Sequence, residues 1–290
     1  MRNTFAKEIF SLSKKNDKIR VVAADISPAG KLAELSKKKN KIFINVGVAE
    51  TSMISICAGL ALSGYKPFAY TIATFSLYRP FEMVRDDLCY QNLPVTIVGM
   101  GSGTIYSTLG GTHMSQEDIG IARCLPNMQV IAPCDSIELK SSINFLVKKS
   151  KSPTYLRIGK SGEKDLIFHE SEEWKFGKIR KIKNGKNICL IGYGPVMKLF
   201  FEILKPLGEA GIKPSIYSSH TLKPFDYNGL EKIFRKYKYI ISLEDHSEIN
   251  GLSKIILEHA FKKKFNGKIE NFSLQDKFIK NYGVQNDLLK

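Results

Sequence analysis

An α/β architecture is what this chain predicts: two doubly wound α/β domains in series. Short β-branched runs alternate with helical stretches, the pattern of parallel α/β units. The length, 290 residues, suits two domains better than one. A polar, charged segment from Gly159 to Gly177, holding the single Trp at position 174, separates two such alternations. The division is therefore 1–160, a linker at 161–176, and 177–290.

In chain order, Met1 to Ser13 has a mixed polar and apolar helical pattern. Strands are expected at Ile19–Ala24 and Lys41–Asn45, followed by a helix over the small-residue run Ala49–Ser63. Pro67–Thr71 and Val95–Gly99 read as strands flanking a helix at Phe75–Gln91. Met128–Ala132 and Thr154–Ile158 are strands around a helix at Ser136–Lys148. The second block offers strands at Asn187–Gly192, Pro214–Tyr217 and Tyr239–Leu243, with helices at Val196–Glu209 and Gly251–Phe261. Gly192-Tyr193-Gly194 resembles half of a dinucleotide fingerprint, but the third glycine and the acidic partner are missing. It reads as a plain strand-to-helix turn.

Composition narrows the function classes. Hydrophobic residues make up 43% and charged residues 25%, as in soluble globular proteins. No apolar run is long enough to span a bilayer, and the N-terminus lacks the parts of a secretory signal, so a cytoplasmic protein with no membrane partner is expected. Five scattered cysteines without a Cys-x-x-Cys pair argue against a disulfide framework or zinc site. The net charge is +16, from 44 Lys and Arg against 28 Asp and Glu. The excess lies in short lysine runs such as Lys37-Lys38-Lys39 and Lys262-Lys263-Lys264, with no aromatic interleaving. A solvated basic surface that attracts anionic ligands explains it, and no nucleic-acid partner is expected.

The stretch Asn45-Val46-Gly47-Val48-Ala49-Glu50 lies between a β-type run and a helical run. It puts one carboxylate, Glu50, on the first turn of a helix at a strand's C-terminal end, the edge where open α/β sheets bind ligands. A first-turn acid also complements the helix dipole, so Glu50 alone proves little. Three further segments accompany it. They are Ala73-Thr74-Phe75-Ser76-Leu77-Tyr78-Arg79-Pro80-Phe81, Gly110-Gly111-Thr112-His113, and the run from Leu125 to Asp135. In this order and spacing they resemble the pyrimidine-binding domain of transketolase-like thiamine diphosphate enzymes. His220-Thr221-Leu222-Lys223-Pro224 and Glu244-Asp245-His246 resemble that family's C-terminal domain.

The resemblance implies specific roles. Thiamine diphosphate reacts through its thiazolium C2 carbanion, generated by its own 4′-amino group once the aminopyrimidine becomes the imino tautomer. Glu50 matches the glutamate that drives this shift through the ring's N1′. Phe75, Tyr78 and Phe81, three residues apart and so near one helical face, match the aromatic slot around the pyrimidine. Taken alone, they would be core aromatics. His113 matches a substrate-facing histidine, suited to exchange a proton with a sugar hydroxyl. Arg157 matches an arginine that grips a substrate phosphate through its fork. Asp25 matches an aspartate near the cofactor.

Enzymes of this family hold the diphosphate through a divalent ion on a Gly-Asp-Gly motif followed by Asn. This chain has no Gly-Asp-Gly. The resemblance therefore implies half an enzyme, whose Mg²⁺ ligands lie on a separate diphosphate-binding N-terminal subunit, assembled as α2β2 and acting on small sugar substrates. The sequence departs from the sugar-phosphate pattern at Leu109, Gly111, Gly99-Met100-Gly101-Ser102-Gly103 and Ala29, so the usual ketose phosphates are not assured as substrates. The leading expectation is transfer of a two-carbon ketol unit between sugars. The alternatives are the β-subunit of a 2-oxo-acid dehydrogenase E1, a deoxyxylulose-phosphate synthase-like enzyme, or a non-catalytic scaffold or nucleic-acid binder.

Overall fold

The computed structural model describes residues 1–28, 30–37, 42–160, 163, 165–166 and 171–288. Ala29, Lys38, Lys39, Lys41 and part of the expected linker lie outside them. The first sheet contains β1 (Ile19–Ala23), β2 (Phe43–Asn45), β3 (Lys66–Ile72), β4 (Thr96–Met100), β5 (Gln129–Ile131) and β6 (Thr154–Ile158). The second contains β7 (Arg180–Lys183), β8 (Ile188–Gly192), β9 (Ser215–Ser218), β11 (Tyr239–Ser247) and β12 (Lys268–Leu274). The remaining strand, β10 (Thr221–Lys223), lies in the second half of the chain but pairs antiparallel with β5. The orders are β10-β5-β6-β4-β3-β1-β2 and β12-β11-β8-β9-β7. All pairings between these strands are parallel except β10 with β5 and β7 with β9.

Alternation along a strand sends successive side chains to opposite faces. Val21 and Ala23 of β1, with Phe68 and Tyr70 of β3, join Phe5 and Ile9 of the helix Arg2–Ser13 and Leu139 and Ile143 of the helix Ser136–Lys148. Val22 and Ala69 point the other way, onto Met53, Ile54 and Cys57 of the helix Glu50–Leu62. Both faces are thus covered, as a parallel sheet requires. The cluster holding Val22 also continues into the second unit through Tyr193, Leu222, Ile240 and Leu252. A single apolar core therefore ties the two sheets together.

Two expected helices are broken. Phe75–Gln91 divides into Ala73–Leu77, a turn at Tyr78-Arg79-Pro80, a short helical piece at Phe81–Met83, and a π-helical stretch at Val84–Tyr90. Proline cannot donate to the preceding turn, and its ring crowds the carbonyl four residues back. Val196–Glu209 becomes a 3₁₀ turn at Pro195–Met197 and two short helices, Lys198–Glu202 and Leu204–Glu209. The segment read as a linker is anchored where it is described. Phe176 stacks on Phe145 at 4.1 Å, and Trp174 stacks on His220 at 4.9 Å.

Candidate active site

Four neighbouring parallel strands, β2, β1, β3 and β4, deliver their C-terminal ends to one edge. Each carries a segment singled out in the sequence. After β1 comes Asp25, exposed and in the left-handed region at φ +40. After β2, Asn45 Oδ1 accepts the Gly47 amide at 3.0 Å and the Asp25 amide at 3.3 Å, tying the two loops together. Gly47, at φ +71, makes the turn that a side chain would strain, and Glu50 then opens the helix Glu50–Leu62.

Glu50 is only 6% exposed. Its Oε1 accepts from Arg79 Nη1 at 3.0 Å, and the Arg79 guanidinium lies 4.5 Å over the ring of Phe75. Phe75 also meets the His113 imidazole edge-on, with ring centroids 5.2 Å apart. Glu50, Arg79, Phe75 and His113 therefore form one continuous contact chain along the edge. Arg79 was not singled out in the sequence. Only its position next to Tyr78 in the aromatic segment could have drawn attention to it.

The three aromatics do not share one helical face. Tyr78 begins the turn that Pro80 ends and Phe81 follows it, so their threefold spacing is not helical. The Tyr78 hydroxyl donates to Glu117 Oε2 at 2.9 Å and accepts from the Glu117 amide at 3.3 Å. Burial, with Asp118 and Glu117 beside it, raises the Tyr78 hydroxyl well above the ordinary tyrosine value. Phe81 packs, half-buried, against the main core. Of the three, Phe75 is the one whose ring lies under Arg79, the residue bonded to Glu50.

His113 sits at the end of the loop after β4. Its Nδ1 is 2.9 Å from Thr112 Oγ1, and its ring lies 6.4 Å from that of Tyr106. Gly101, Gly103 and Gly110 all have positive φ, and the loop closes where the Gly103 amide donates to Ser115 Oγ at 2.9 Å.

Arg157 requires a correction. Instead of presenting a fork to an anion, it is 3% exposed, with Nε 2.9 Å from Asp118 Oδ2 and Nη2 donating to the Asp245 carbonyl at 2.7 Å. Burial works against its charge, but Asp118, Tyr193 and Asp245 outweigh that and raise its affinity for the proton. A buried cation already paired in this way holds the two units together. In the motif Glu244-Asp245-His246, Asp245 and His246 serve the same junction, while Glu244 bonds within the second unit. Glu244 accepts the amides of Leu252 and Ser253 and the Tyr193 hydroxyl, Asp245 accepts from Thr104, and His246 Nε2 accepts the Gly120 amide. Gly192-Tyr193-Gly194 is thus a structural turn with its tyrosine buried.

The edge suits an aminopyrimidine. Arg79, a planar group donating to Glu50 while stacked on Phe75, makes the two kinds of contact such a ring would make. Thr74 Oγ1, next to Phe75, is buried with no hydrogen-bond partner among the described residues.

A two-unit α/β protein with a carboxylate, an aromatic face and an imidazole along one sheet edge is the class this geometry defines. Family models for the transketolase pyrimidine binding domain and the transketolase C-terminal domain match residues 1–162 and 177–288. The chain belongs to the transketolase family, whose members are thiamine diphosphate-dependent transferases. It is 30% identical over 257 residues to one subunit of the apulose-4-phosphate transketolase of Phocaeicola vulgatus, covering 89% of this chain and 82% of that one. It is 31% identical over 284 residues to 1-deoxy-D-xylulose-5-phosphate synthase of Clostridium acetobutylicum, covering 97% of this chain but 45% of that longer protein. Among solved structures, a split gene transketolase described as an inactive β4 tetramer superposes with a TM-score of 0.84 at 29% identity, covering 96% of this chain and 89% of that one. Among the described residues, no helix is long and apolar enough to cross a membrane.

Proposed function

We propose that this chain is the pyrimidine-side subunit of a split transketolase. Its units are 1–160 for the pyrimidine, a linker at 161–176 and a C-terminal unit at 177–290. The observation that carries the reading is the contact chain from Glu50 through Arg79 and Phe75 to His113 on one sheet edge. Thiamine diphosphate, when bound, would supply the nucleophile that carries the ketol unit. Glu50 would hold its pyrimidine ring by a hydrogen bond from the carboxyl group. Phe75 gives the ring a flat apolar face, with Tyr78, Phe81 and Asp25 around the cofactor. His113 exchanges a proton with a sugar hydroxyl at the mouth. A diphosphate-binding subunit supplies the Mg²⁺ ligands, and the two assemble as α2β2 in the cytoplasm.

The test is calorimetry of thiamine diphosphate with Mg²⁺, on this chain alone and mixed with a subunit that carries Gly-Asp-Gly. Binding only in the mixture is expected. Absence of binding in a mixture shown to associate would overturn the reading. Ketol transfer from a panel of pentulose, hexulose and apulose phosphates would then define the donor. The likeness to a deoxyxylulose-phosphate synthase over nearly the whole chain favours one second reading, a 2-oxo-acid donor. Turnover of pyruvate in place of ketoses would establish it.

A further inference from the structure

The loop that carries His113 is held from outside by the last segment of the chain. After β12, residues 276–288 run back across residues 104–111. The Ser107 hydroxyl donates to the Gly283 carbonyl at 2.7 Å. Gln285 Nε2 donates to Thr104 Oγ1 and to Asp245 Oδ2, both at 3.1 Å. A Cβ on Gly110 would overlap the ring of Tyr282, and one on Gly111 would lie 3.5 Å from the Ile279 carbonyl. Three residues after Gly110, the His113 amide closes a turn on the Gly110 carbonyl at 3.0 Å.

Two explanations compete: the segment docks there to stabilise the fold, or it docks there to set the loop. Burial decides between them. Tyr282 is 73% exposed and Phe278 81%, so the segment adds little to the core. Tyr282, Gly283 and Gln285 instead meet a loop that turns on the positive-φ glycines Gly101, Gly103 and Gly110.

We propose that residues 276–288 form a strap, acting through Tyr282 and Gln285, that positions the loop bearing His113 and thereby sets how tightly the sugar substrate is held. Both are positioning residues, and the kinetic consequence rests on the reading of His113 given above. The strap enters from the C-terminal unit, alongside Asp245, and so gives that unit a direct hold on a site built by the first.

The test uses the full chain carrying Gln285→Ala, Tyr282→Ala or Tyr282→Phe. Amide hydrogen exchange over residues 104–113 should quicken about tenfold in the two alanine variants, the scale of one lost hydrogen bond or ring contact, with little change in Tm. The His113 ring protons should lose the shift imposed by Phe75 and Tyr106. Tyr282→Phe should behave as the parent, because the ring makes the contact. Unchanged exchange and shifts in both alanine variants would overturn the proposal. In the assembled complex, with xylulose phosphate as donor, the alanine variants should raise KM several-fold and change kcat less. If the loop loosens and His113→Ala raises KM but the strap variants do not, the strap's part in substrate holding fails. If His113→Ala itself leaves KM unchanged, the reading of His113 fails while the positioning of the loop stands on exchange alone.

Discussion

In the proposed role Glu50 meets two demands that usually conflict. It would have to be buried enough for its carboxyl to bond a ring nitrogen, yet reach a ligand at the sheet edge. The first turn of a helix after a parallel strand satisfies both, because the dipole there favours the acid and the backbone leaves its side chain at the mouth. Glu50→Gln keeps the shape and the helix start, so the variant should fold as the parent and lose nearly all turnover in the assembled complex. Unchanged far-ultraviolet circular dichroism with substantial residual activity would remove Glu50 from the chemistry. Arg79 sharpens the argument. Its guanidinium is half exposed, so its pair with Glu50 is worth ~0.2–1 kcal/mol and its place over Phe75 about as much again. A pyrimidine seeking the same carboxylate and the same ring must displace it. Arg79→Ala should therefore tighten thiamine diphosphate binding by about two- to thirtyfold, read by calorimetry on the complex. Weaker binding would mean that Arg79 itself holds the cofactor.

At the scale of elements, the junction between the units depends on the end of β11. Asp245 is buried and accepts from the Thr104 amide, the Thr104 hydroxyl and Gln285, while its own carbonyl receives Arg157. Burial raises its carboxyl above the usual aspartate value, and the Arg157 charge and the Thr104 donors only partly oppose this. Asp245→Ala leaves the Thr104 amide without its acceptor, at a cost of about 1–3 kcal/mol. Urea unfolding should show that loss, and exchange at Thr104 should rise. Retained stability would place the strength of the junction elsewhere. The elements most legible in the sequence were the buried parallel strands, such as Ile188–Gly192, where apolar residues run unbroken. Those that escaped notice lie where water or tertiary pairing decides. β7 reads Arg-Lys-Ile-Lys and β12 Lys-Ile-Glu-Asn-Phe-Ser-Leu, charged or polar sheet edges whose composition discourages aggregation and hides the strand signal. β10 is three residues long and exists only because β5 lies beside it. The place of Glu50, Phe75 and His113 along one sheet edge was legible through family-like motifs. The burial of Arg157 was not, because its partners Asp118 and Asp245 are separated from it by 39 and 88 residues.

The whole molecule carries a pH dependence at a second contact between the units. His220 is fully buried, with Nδ1 2.9 Å from Thr221 Oγ1 and its ring against Trp174. Facing it are Glu138, from the first unit, and Arg180, which is 3.1 Å from Glu138. Burial lowers the His220 pKa below its ordinary 6.5, and the Glu138 charge only partly opposes this. Glu138 also lies below its ordinary 4.5, because His220, the Cys134 amide and Arg180 together outweigh the cost of its burial. Both groups bind protons more readily when the chain is unfolded. Each therefore contributes stability that is present above its unfolded pKa and lost as pH falls. His220 acts first, from about 6.5 downward, and Glu138 below about 4.5. The urea midpoint should fall between pH 7.5 and pH 5.5, as the two measured pH values bracket the histidine range. In His220→Gln the overall midpoint will be lower from lost packing, but its change across that interval should shrink. An equal change in the variant would assign the pH dependence to other groups. Because Glu138 belongs to one unit while Arg180 and His220 belong to the other, acid acts on the same junction that Arg157 and Asp245 close beside the active edge. Exchange protection at Thr104 should therefore fall with the midpoint as pH is lowered.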